Sequence, residues 1–90
     1  MRKVPTISTN PDEQLTLQLK VIGAMYLRGN KMLTDICFRY HSMLCARNRG
    51  ILGHREFHQT VQELLQSVSA EARDDLELAF RQVEQLPQRG

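Results

Sequence analysis

Two short stretches of this chain gather residue types that do chemistry. CFRYHSMLC, Cys37 to Cys45, places both cysteines and His41 at i, i+4 and i+8, and HREFH, His54 to His58, places the other two histidines at i, i+4. Thiols and imidazoles at helical spacing are the donors of a zinc site, or the nucleophile and base of a thiol enzyme. The spacing itself limits both ideas. On a helix Cys37 and Cys45 stand about 12 Å apart along the axis at 1.5 Å per residue, while zinc holds every ligand about 2.0 to 2.3 Å from one point. One metal therefore takes at most one adjacent pair from this row. His41 with Cys45, or Cys37 with His41, would need His54 and His58 from a facing helix to make four ligands. No CxxC knuckle accompanies them, and cysteines and core-edge histidines are ordinary packing residues in small helical domains. The expectation is a chain with no metal site and no cofactor, in which His41, Cys45, His54 and His58 are the residues to watch.

Catalysis is not expected either. In a zinc protease the glutamate directly follows the first histidine, whereas Glu56 comes two positions after His54 and projects about 200° away from it on a helix. A cysteine beside His41 lacks an orienting third group and an oxyanion donor. Ninety residues are also few for enclosing a pocket.

A third constellation is electrostatic. Residues 20 to 58 carry seven basic residues against two acidic ones, and residues 59 to 90 carry three basic against six acidic. That asymmetry suits an anionic partner or a contact with a second copy. Arg47, Arg49 and Arg55 crowd RNRGILGHR around the start of a helix, where free backbone N–H groups attract anions, so they are the candidate anion- or nucleic-acid-binding residues. The glycines there precede no Lys-Ser/Thr pair, as a P-loop would. The loop from Ala46 to Gly53 is also longer than the turn of about three or four residues in a helix-turn-helix.

The elements that position these residues are helical. Asn10-Pro11-Asp12-Glu13 is a helix start: a cap, a proline at the first helical position and two acids at the positive end of the dipole. From there Leu15, Leu19, Ile22, Tyr26, Gly29, Leu33, Ile36, Tyr40 and Met43 alternate at spacings of four and three, a heptad seam. The seam runs through Gly29-Asn30 in phase, so it describes either a helical hairpin or one long helix. Gly just past a helix and Asn as the next cap favour the hairpin. Phe57, Val61, Leu64, Leu65 and Val68 predict a third helix over His54 to Val68. Ser69 caps a fourth, with a core stripe of Ala72, Leu76, Ala79, Phe80 and Val83, and Pro87 stops it. Residues 1–9 read as a flexible arm, 10–87 as one all-α domain of three or four helices, and 88–90 as a frayed end.

The second helix is apolar on two sides, because Phe38 projects about 200° from Ile36, next to Cys45. A helix of that kind is central in its domain or half covered by another chain. The apolar seam exceeds what short neighbours cover, which makes Tyr26, Leu33, Tyr40, Phe38 and Cys45 the candidate partner-binding residues, with a homodimer expected. No stretch is long and apolar enough to span a membrane, and MRKVPTIST has no apolar run behind its basic residues. Two cysteines too far apart to bridge fit a reducing, cytoplasmic compartment. The expected function is a small regulatory module working through protein–protein contacts. The alternative is a nucleic-acid-binding regulator that uses the basic loop.

Overall fold

The computed structural model describes residues 11–86, with side chains from Glu13 onward. The expected arm, the cap at Asn10, the contributions of the Pro11 and Asp12 side chains, the stop at Pro87 and the frayed end lie outside the described residues. Four α-helices make up the fold: α1 Pro11–Tyr26, α2 Lys31–Asn48, α3 His54–Gln66 and α4 Ala70–Glu84.

The long heptad seam is broken where its glycine falls, so the first two helices form a hairpin. Arg28 and Gly29 take positive φ angles of 56° and 72°, and the Gly29 N–H reaches back to the Gly23 carbonyl at 3.0 Å, closing the end of α1 as a left-handed cap does. Asn30 then starts α2, its side-chain oxygen accepting from the Leu33 N–H at 3.0 Å. Two other starts are capped, the second of them as expected. Glu56 accepts from the Gly53 N–H at 3.3 Å, and Ser69 accepts from the Ala72 N–H at 3.2 Å. The expected loop from Ala46 is shorter than its composition suggests, because α2 continues to Asn48. The Ala46 carbonyl then accepts from the N–H groups of Ile51 and Leu52, and Gly50, at φ 79°, turns the chain.

Helices α2 and α4 are the central pair. Each packs on the other and on both α1 and α3, while α1 and α3 do not touch. That arrangement explains why α2 is apolar on two sides: it is central within its own domain. Its buried arc holds Leu33, Ile36, Cys37, Tyr40, His41 and Leu44. On a wheel with Ile36 at zero this runs from 0° to about 140°. Met32 is 64% exposed, and His41 is buried instead. The α4 stripe is as read: Leu76, Ala79, Phe80 and Val83 are buried, and Ala72 packs against them half-buried.

Helix α1 meets α2 through its one internal glycine. A Cβ on buried Gly23 would stand 2.2 Å from the Thr34 Oγ1 and 2.8 Å from its Cγ2. Thr34 cannot easily turn aside, since its hydroxyl donates to the Asn30 carbonyl at 2.7 Å. Gly23→Ala gains about 1 kcal/mol of helix propensity and loses about 1–3 kcal/mol or more to overpacking. The expected outcome is a thermal midpoint lower by roughly 5 °C, partly recovered when Thr34→Ala is added. A circular-dichroism melt in which Gly23→Ala equals or exceeds the parent would refute the close approach.

Candidate interaction surface

The five residues expected to form a partner surface have different fates. Leu33 and Tyr40 are buried in the chain's own core, and this corrects their assignment: α2 is covered by three helices, so these side chains have no face left for another molecule. Tyr26, Phe38 and Cys45 are half-buried. Phe38 and Tyr26 lean against the core, with Phe38 at the edge of a shallow groove it shares with Lys20, Ala24 and Thr34. The patch behind α2 is thus largely closed by α1.

Tyr40 is the centre of the packing. Its ring stacks on Phe80 with centroids 3.9 Å apart and planes 3° from parallel, and it meets Phe57 at 5.8 Å. Its hydroxyl donates to the Glu84 carboxylate. Burial, then the bond to Glu84 and its negative charge, push the Tyr40 phenol well above its ordinary value, with Arg47 partly opposing them.

The cysteine–histidine row drifts outward along α2. Cys37 is completely buried, His41 is buried beside it, and Cys45 is half-exposed with its sulfur 3.8 Å from His41 Nδ1. Both thiols are free. His54 and His58 face each other on exposed α3, their Nε2 atoms 3.1 Å apart. The two pairs do not converge, and among the described residues no group of three or more His, Cys, Asp or Glu is placed to hold a metal ion. Glu56 is turned to the Gly53 N–H, away from the histidine pair.

The basic loop is divided as well. The Arg47 guanidinium lies 4.4 Å from the Phe57 ring centroid, a cation–π contact that holds it against the core. Arg49 and Arg55 are exposed.

The surface that sequence reasoning missed is on α1. Leu17, Val21 and Met25 are 63%, 48% and 70% exposed and follow one another at i, i+4 and i+8, one stripe along the helix. Gln14, Gln18 and Ala24 border it, with Lys20 at its edge, all exposed. Leu17 and Val21 also line a groove with Ile22 of α1 and Leu86 beyond α4. The signal was present as a second apolar stripe, offset from the Leu15–Leu19–Ile22–Tyr26 seam by about 130°. Only knowing that α3 never reaches α1 reveals which stripe stays uncovered.

Compared with known proteins, the chain matches no family model, no curated protein and no solved structure. Among the described residues no helix is long and apolar enough to cross a membrane.

Burial pushes the Cys37 thiol up to about 12 from an ordinary 9.0. The folded chain then holds a proton that the unfolded chain releases, so stability is untouched below pH 9 and falls as pH rises toward 12. A thiol-reactive dye should label Cys45 in the native chain and Cys37 only on unfolding. Stability should decline from pH 9 upward, more shallowly in Cys37→Ala. Equal labelling rates for the two thiols would show that Cys37 is not sealed.

Proposed function

We propose that this chain is a small helical regulatory module that works by protein–protein contact and associates with a second copy of itself through the outer face of α1. The observation that carries the reading is the uncharged stripe of Leu17, Val21 and Met25, exposed on a helix whose opposite side is already in the core. Scattered apolar residues need no explanation, but a contiguous row on one helix marks an interface. The ends of the row suggest the partner. Glu13 lies at the start of α1, and Arg28 follows its end, both exposed. Turned antiparallel about Val21, a second α1 sets Leu17 against Met25 and brings Glu13 near Arg28 of the other copy. This is the self-complementarity that a two-fold contact requires.

The magnitude bounds the affinity. Covering six partly exposed side chains contributes on the order of 6–9 kcal/mol, against an association cost of about 4–15 kcal/mol. The most favourable difference is about 5 kcal/mol, so the contact is weak and reversible, with a dissociation constant of about 0.2 mM or above. Charge placement agrees with a protein-contact role. The basic helix α2 packs directly on the acidic helix α4, which sets opposite net charges side by side within one molecule. Nucleic-acid binding would lean on Arg49 and Arg55, since Arg47 is held over Phe57. Free Cys37 and Cys45 suit a reducing compartment such as the cytoplasm.

Light scattering between about 20 µM and 2 mM tests the proposal, the range being set by that affinity. The mass should rise from 10.4 kDa toward twice that value. Val21→Glu should keep the helicity and remain monomeric throughout. Glu13→Arg and Arg28→Glu should each weaken association, and the two together should restore it. A constant monomer mass in the unsubstituted chain would overturn the reading.

A further inference from the structure

We infer that His54 and His58 form a two-histidine binding site for a late first-row divalent cation on the exposed surface of α3. The i, i+4 spacing puts both rings on one side of the helix, the arrangement by which paired helical histidines hold zinc. Their Nε2 atoms point at each other at 3.1 Å, with ring centroids 4.5 Å apart and planes at 84°. A metal–imidazole bond is about 2.0–2.1 Å. Two such bonds ending on nitrogens 3.1 Å apart meet at an angle of about 100°, between the octahedral and tetrahedral values. The separation is thus that of two imidazoles sharing one cation, and rotation of the two rings on a fixed backbone turns their lone pairs toward it.

The surroundings support the placement. Both histidines are exposed, so the cation keeps water in its remaining coordination positions. The Phe57 ring stands 5.7 Å from His58 at 74° and backs it from the buried side. Without metal, the same separation is held by one N–H···N hydrogen bond. On binding, the ring protonated at Nε2 gives that proton to water and takes one up at Nδ1, so both Nε2 lone pairs face the metal. Imidazole donors select Zn²⁺, Ni²⁺ or Cu²⁺ over Mg²⁺ and Ca²⁺. The site is independent of the α1 contact, because α1 and α3 do not touch.

Calorimetric titration of the full chain with Zn²⁺ and with Ni²⁺, thiols kept reduced, tests the assignment, with His54→Ala, His58→Ala and Cys45→Ser alongside. The expected result is one cation per chain, at least tenfold weaker in either histidine variant, within threefold of the parent in Cys45→Ser, and no binding of Mg²⁺ or Ca²⁺. Circular dichroism confirms that the variants keep their helicity. Binding that survives either histidine substitution within threefold, or that is lost in Cys45→Ser, overturns the site.

Discussion

The stacking of Tyr40 on Phe80 is the interaction around which the other helices are arranged. At 3.9 Å and nearly parallel planes, it fixes the separation and rotation of α2 against α4, the two helices that touch everything else. Aromatic pairs contribute about 0.5–1.5 kcal/mol beyond their buried area, a modest sum whose geometry matters more than its size. A phenol in a core also needs a partner for its hydroxyl. Glu84, at the last position of α4, supplies it, which sets the register of the two helices as well as their spacing. Phe57 joins from α3 and carries Arg47 on its face, so one residue orders three helices.

A core centred there leaves α1 in a different position from α3. Helix α3 is tied to the cluster by an aromatic ring and at its far end by the Arg73 guanidinium, which donates to the Leu65 carbonyl at 3.0 Å. Helix α1 has no aromatic in the stack. It docks instead by close approach at Gly23 and by Leu19, Ile22 and Leu27. Backbone proximity uses a narrow strip of the helix, and the remaining apolar residues are left outside. The exposed stripe is therefore a consequence of how α1 is attached.

Much of this fold could be read from residue pattern, since each boundary rests on local chemistry. Gly29-Asn30 and Ser69 act through their own backbone angles and hydrogen bonds, and they do so wherever a helix must stop or start. The α4 stripe was legible because that helix is apolar on one side. Helix α1 was not, because it carries two stripes and the sequence does not say which meets α2. His41 lies in the core beside Cys37, on the same side of α2 that carries Tyr40 to Phe80. Leu33 and Tyr40 were assigned to a partner for a related reason. An apolar seam has the same spacing whether the chain's own helices or another chain cover it.

The separation of α1 from α3 also decides how the two proposed surfaces relate. They lie on two helices that each pack on the α2·α4 pair and not on one another, so neither surface uses residues of the other. The histidine pair then works with water as its remaining ligands. Any influence of one surface on the other has to pass through α2 and α4, because α3 and α1 each pack on that pair and not on one another. Close-packed aromatic rings allow little displacement short of repacking. A cation on α3 therefore favours one association state of α1 over the other only where it shifts α2 or α4, and the packed Tyr40–Phe80 rings oppose such a shift.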